Sequence, residues 1–339
     1  MKNREKIILA ALLSIAAIIL ASAIGSVGIS LPDFFNILSN QIFGAELKES
    51  IAPNNVSILW NIRLPRVLMC FLVGAALAAG GVVMQSVLRN PLASSYTLGV
   101  SSGASLGAAF VILLNVTLPF ASNYSLPLAG FVFGLGTVFL AMGMANRLDR
   151  NMENNTIILV GMVLSLFVNA ILTLMTALAP ERMKELTFWQ MGSFSGLRWS
   201  DVRTLLPIVL IGLLILLRFT REMDLMTFGE EEALSAGVEL KKMKFLMIGI
   251  SALLTGASVA FSGTIGFVDL IAPHVVRRIF GPRHKLVLPA SAFFGGTFMV
   301  LADLISRTIL APREIPVGAV TALIGAPFFA YVYFNRKAG

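Results

Sequence analysis

The chain is short of most things that a water-soluble protein or an enzyme relies on. Only 13% of its 339 residues are charged, against 57% apolar, which is too little polar surface to cover a core of that mass in water. A single cysteine, Cys70, excludes an internal disulfide, and its apolar surroundings mark it as a small buried hydrophobe. The only histidines, His274 and His284, form no His-Glu-x-x-His pair and have no cysteine cluster beside them, so the sequence offers no metal site. Ser101 and Ser102 have no base near them for nucleophilic catalysis. No Gly-x-x-x-x-Gly-Lys-Ser/Thr phosphate loop occurs. The net charge of +8 comes without a basic stripe interleaved with aromatics, which argues against a nucleic-acid partner.

What the chain has is long apolar runs. Val67 to Leu88, Thr97 to Val116, Leu126 to Asn146 and Ile157 to Leu178 are charge-free, each about the 20 residues that an α-helix needs to cross roughly 30 Å of hydrocarbon. Ile7 to Val27, Thr204 to Leu217, Phe245 to Val268, Leu286 to Ala302 and Ile315 to Phe334 are similar, and a shorter run lies between Asp269 and Gly281. None alternates as the strands of a membrane barrel do. An all-α integral membrane protein of about ten transmembrane helices is expected, as one domain over 1–339 embedded in the lipid bilayer. The first run is longer than the core of a cleaved signal, about 7–15 residues, so it reads as a retained helix, although Ala21-Ser22-Ala23 would suit cleavage.

With a cytoplasmic N-terminus, spans alternate and both termini lie inside. The inner loops and ends then hold 17 of the 26 basic residues: Lys2, Arg4, Lys6, Arg89, Arg147, Arg150, Arg218, Arg221, Lys241, Lys242, Lys244, Arg277, Arg278, Arg283, Lys285, Arg336 and Lys337. That is the asymmetry membrane insertion imposes.

Two segments repeat. Gly74, Ala75, Ala78, Gly81, Leu88, Pro91 and Gly99 recur 182 residues later as Gly256, Ala257, Ala260, Gly263, Leu270, Pro273 and Gly281. The copies begin five crossings apart, so the halves, about 58–180 and 240–339, should point in opposite directions, an arrangement typical of transporters. Pro91 and Pro273 are read as helix ends. Gly99, Gly103 and Gly107, like Gly130 and Gly134, suit close helix packing. A short surface helix is expected within Gly28 to Ser57, and Trp189 and Trp199 fit an interfacial belt.

Several stretches resemble the FecCD family of ABC-transporter permeases. They are Arg63-Leu-Pro-Arg66, Gly74-Ala-Ala-Leu-Ala-Ala-Gly80, Gln85, Arg89-Asn-Pro-Leu-Ala93, Leu98-Gly-Val-Ser-Ser-Gly-Ala104, Trp189-Gln-Met-Gly192, Ser262-Gly-Thr-Ile-Gly-Phe267, Ala272-Pro-His-Val275 and Glu314-Ile-Pro-Val-Gly318. The resemblance runs from about residue 57 to the end. It implies import of an iron siderophore, haem or cobalamin-type corrinoid, the siderophore first, across a prokaryotic cell membrane. It also implies a homodimer with a second permease subunit, two ATP-binding subunits that carry the ATP and Mg, and an extracytoplasmic substrate-binding protein. This chain would hold no cofactor and perform no catalysis.

Residue roles follow from the same resemblance. Arg63, Arg66 and Arg307 match arginines that meet acidic residues of the binding protein, and guanidinium groups on an exposed rim suit that role. Pairing with Asp303 and Glu314 is the alternative. The segment 220–243 matches the part that couples to the ATPase, through Gly229, Glu230, Ala233, Leu234, Gly237 and Val238. Ala233, Leu234 and Val238 are expected to form its apolar face, with Glu230, Glu231, Glu232 and Glu239 hydrated. Asn154 and Asn155 fall at a cytoplasmic gate, or else Asn155 or Thr156 caps a helix. Ser165, Asn169, Thr173 and Thr176 form a polar stripe that either lines the pathway or makes interhelical hydrogen bonds.

There are departures from the family pattern. Asp269 stands where the family usually has glycine, and Ser94 and Ser95 where it often has an acidic residue and proline. Three readings stay open for Asp269: a salt bridge to Arg277 or Arg278, a contact at the helix turn, or a hydrated turn. An ion-coupled secondary transporter would share the repeat but would carry acidic residues deep in its helices, whereas Asp269, Asp303 and Glu314 lie near span ends.

Overall fold

A computed structural model describes residues 3–25, 27–116 and 124–335. Lys2, Arg336 and Lys337, counted in the charge bias, lie outside them. The first half comprises α1 (Asn3–Ala23), α2 (Leu31–Phe43), α3 (Pro53–Ser57), α4 (Leu64–Val87), α5 (Val100–Leu114), α6 (Ser125–Leu148) and α7 (Asn154–Leu178). Then come α8 (Met183–Gln190), α9 (Trp199–Arg218), α10 (Thr220–Phe228), α11 (Glu230–Ser235), α12 (Leu240–Ser262), α13 (Val268–Phe280), α14 (His284–Thr308) and α15 (Val317–Asn335). No strand occurs among the described residues.

The ten apolar runs correspond to α1, α4, α5, α6, α7, α9, α12, α13, α14 and α15. Among the described residues, seven helices are long and apolar enough to cross a membrane, while Val100–Leu114 and Val317–Tyr331 are shorter apolar helices. Helix α13 has 13 residues, about 20 Å of rise. The predicted surface helix is α2, capped by the Ser30 side chain and ended by Gly44.

Helix α4 is apolar on every side and is buried on every side, with α12, α13, α14 and α9 around it. Where it crosses α14, Gly74 and Gly295 face each other, and a Cβ on either would strike the other's backbone. Lipid removes the hydrophobic drive between helices, so backbone contact of this kind supplies the attraction. Gly103 and Gly107 likewise rest on the α6 backbone at Phe133 and Ala129, whereas Gly99 lies outside the helix as its left-handed cap, φ +92°.

The repeat copies run in opposite directions. Helix α4 starts beside α14's last turn, where Arg66 meets Asp303, and ends beside α14's first residue, where Ser86 meets His284. Helix α12 starts at that second end, where Lys244 bonds the carbonyl of Met152 between α6 and α7, and finishes near the start of α9. One expectation is corrected. Pro91 does sit in a turn, but Pro273 lies inside α13. Its missing N–H frees the carbonyl of Asp269, and Gln85 Nε2 of α4 approaches that carbonyl at 3.4 Å and the next, of Leu270, at 3.5 Å.

Candidate functional site

Charged groups gather at two ends of the bundle. At the first, Arg66 donates to Asp303 at 2.8 Å and to Glu314 at 2.8 Å, two carboxylates sharing one guanidinium. Arg63 donates to the carbonyls of Ser22, Ala23 and Val27 at 3.2, 2.9 and 2.6 Å. Arg307 donates to the carbonyls of Ala21 and Ile24 and faces Asp303 at 3.4 Å. The last turn of α1 is thus capped by two cations, which its unpaired carbonyls and dipole favour. The structure brings the three predicted arginines together, but as a buried cluster: Arg63 is 5% and Arg66 8% exposed. The expected open rim is corrected to internal pairing, because a guanidinium withdrawn from water must find compensating partners. The hydrogen bonds from Arg66 hold the Glu314 carboxyl below the usual carboxylate range.

The second end carries the predicted coupling segment. Helix α11 closes with the Val238 N–H on the Ala233 carbonyl and the Gly237 N–H on the Leu234 carbonyl. That is a Schellman closure with Gly237 in the left-handed region, φ +83°. The closure folds Val238 back over Ala233 and buries both, with Ala233 at 0% exposure. The expected apolar face is therefore corrected: Leu234 and Phe228 point outward, while Ala233 and Val238 hold α11 to the bundle.

Glu230 is not freely hydrated either. It accepts from Lys244 Nζ at 2.7 Å, and the same Nζ donates to the carbonyl of Met152 at 2.7 Å. Lys244 is 0% exposed, a position a lysine occupies only when paired. Asp149 steadies the adjoining turn by accepting from the N–H groups of Glu153 and Asn151, which lowers its own carboxyl pKa. Asn154 and Asn155 open α7, whose cap is Glu153 with no side-chain bond, so neither the Asn155 nor the Thr156 cap forms. Gly229, Glu230, Asn154, Asn155 and Arg89 together line an open groove of about 710 Å³.

The polar stripe of α7 bonds its own helix. Ser165 donates to Gly161, Thr173 to Asn169 and Thr176 to Thr173, at 2.8–2.9 Å, and none of these hydroxyl bonds is interhelical. Asp269 is 4% exposed and accepts from Ser94, not from Arg277 or Arg278, which overturns both the salt bridge and the hydrated turn. Arg277 sits two turns on and bonds Gln85 and Ser86. His274 is in the middle of α13.

Sequence reasoning missed two groups here. The charge bias places Lys244 among the inner loops and ends, and nothing in its immediate neighbours announces Met152 as a partner. Asp224, His284 and Ser86 form a chain of contacts through residues 60 and 198 positions apart, separations that no local pattern reveals.

The FecCD transport family model matches residues 12–335. The cobalamin import system permease of Halobacterium salinarum is 37% identical over 87% of this chain and 78% of its own length. The ferric dicitrate transport system permease of Escherichia coli is 37% identical over 83% and 86%. A solved structure assigned to the metal-chelate type of ABC transporter, in an inward-facing conformation, superposes with a TM-score of 0.86 at 31% identity, covering 98% of this chain and 99% of that one.

Proposed function

Because the chain belongs to the FecCD transport family, we propose that it is the membrane-spanning permease of an ATP-driven importer of a metal chelate, ferric siderophore first, haem or a corrinoid next. The likeness of fold over 98% of the chain to a metal-chelate type ABC transporter carries this reading. Relatives named for ferric dicitrate and for cobalamin support a chelate as cargo.

In this reading two copies enclose the pathway in the cell membrane, and the Glu230 end, with both termini, faces the cytoplasm. Separate ATP-binding subunits grip α10 and α11 through Phe228, Leu234 and the exposed acidic side chains. Closure of those subunits shifts α11, and Lys244 passes the shift to the Met152 turn and so to Asn154 and Asn155. Nucleotide binds the two conformations differently, and that difference supplies the free energy. The binding protein docks at the Arg66 end, where its carboxylates exchange with Glu314, whose side chain is 40% exposed, on Arg66, while Arg63 and Arg307 keep their internal bonds and add positive potential beneath the contact.

Proteoliposomes holding the chain, its ATPase and its binding protein test the cargo. ATP-dependent uptake of a radiolabelled ferric siderophore is expected. Uptake of haem or a corrinoid instead would reassign the cargo, and uptake of none of them would overturn the reading.

A further inference from the structure

Helix α10 lies just before the coupling helix, and its Asp224 reaches into the bundle. One oxygen, Oδ1, accepts the backbone N–H of His284 at 2.9 Å and its ring Nδ1–H at 2.6 Å. His284 is the first residue of α14, whose N-cap Arg283 makes no side-chain bond. Asp224 therefore caps α14 from another helix, where an anion also meets the positive end of the dipole. The other ring nitrogen, Nε2, is joined to Ser86 Oγ at 2.5 Å in the last turn of α4. Ser86 Oγ accepts in turn from Arg277 Nη2 of α13 at 3.2 Å, and Arg277 also donates to Gln85 of α4.

The contact order Asp, His, Ser is that of a hydrolase triad, but the setting excludes that chemistry. Ser86 and His284 are each 2% exposed, and no carbonyl carbon of a substrate could reach the hydroxyl. What the chain of bonds does is join one short helix outside the bundle to three helices inside it.

We propose that Asp224 and His284 are positioning residues for transport, a joint through which displacement of the coupling segment reaches α14, α4 and α13 together. The inference rests on the coupling role proposed above for α10 and α11. It differs from the Lys244 contact, which leads to the α6–α7 turn. Two linkages from one handle would move both sides of the cytoplasmic mouth in step.

The test measures ATP hydrolysed per chelate transported, in proteoliposomes containing the complete complex and a radiolabelled ferric siderophore. Asp224→Ala removes the joint at its start and Ser86→Ala at its far side. Assembled complex and ATP hydrolysis should persist in both, while the ratio of ATP to cargo rises roughly tenfold, within the usual range of coupling between sites. If Asp224→Ala fails to assemble, Ser86→Ala, which leaves the cap of α14 in place, decides alone. An unchanged ratio in the assembled variants would overturn the joint, as would uptake that falls only in proportion to lost complex. If the unmodified complex takes up haem or a corrinoid instead, the same ratio is read with that cargo; no ATP-driven uptake of any of the three would fell the coupling role and the joint with it.

Discussion

At the Arg66 end, one guanidinium holds two carboxylates from α14 and the loop beyond it, and neighbouring arginines close the end of α1; every bond returns to the same few elements. At the Glu230 end, Lys244 and His284 each bridge a short helix outside the bundle to helices within it. The first arrangement is closed and cannot shift without exposing a buried charge. The second is open, and a pull on α10 or α11 is transmitted along it. Both use scarce ionisable residues where lipid makes them costly, so where the bonds lead tells more than their number.

The largest effect should come from breaking the closed end. Arg66→Met leaves the buried Asp303 with only Arg307, at 3.4 Å, as its cation and strips Glu314 of its partner, at a cost of up to about 3–5 kcal/mol; thermal unfolding of the purified protein should show it, and adding Asp303→Asn should recover part of the loss. Next, Lys244→Met should lower ATP-driven uptake about tenfold, equivalent to about 1.4 kcal/mol, with a smaller loss of thermal stability because Glu230 can turn to water. If the two substitutions had equal effects on stability and on uptake, the contrast between the ends would fail.

These sites were legible to different depths. Ten helices could be read because lipid demands apolar runs of fixed length, and the inverted repeat because glycines such as Gly74, Gly81 and Gly263 pack against backbone. Pro273 was misread because the rule for proline counts only its own helix, whereas Gln85 of α4 approaches the carbonyl it frees. The face of α11 was misread because helical spacing does not foresee that a closure at Gly237 turns Val238 inward. Partners such as Ser86 and His284 exist only once α4 and α14 cross.

A smaller effect should follow Gly237→Val. The left-handed backbone there costs a β-branched residue at least about 1–2 kcal/mol, while no atom lies within 4 Å of the added Cβ. Reduced uptake with an intact assembly is expected, read from transport and from size-exclusion chromatography. Smallest is a pH effect at the closed end. Glu314 has a depressed carboxyl pKa in the folded state, so its stabilisation is present above the unfolded value of about 4.3 and is lost as pH falls through the depressed one. Melting curves across that window should be flatter for Glu314→Gln.

Spin-label distances in the complete complex test the central contrast most directly. One label pair at Leu234 and Ile279 reports the Glu230 end, and another at Ile62 and Ile309 reports the Arg66 end; all four side chains are exposed. Nucleotide binding to the ATPase should change the first distance and leave the second unaltered. A fixed Leu234 to Ile279 distance, or an equal change at both ends, would contradict an importer driven through α10 and α11.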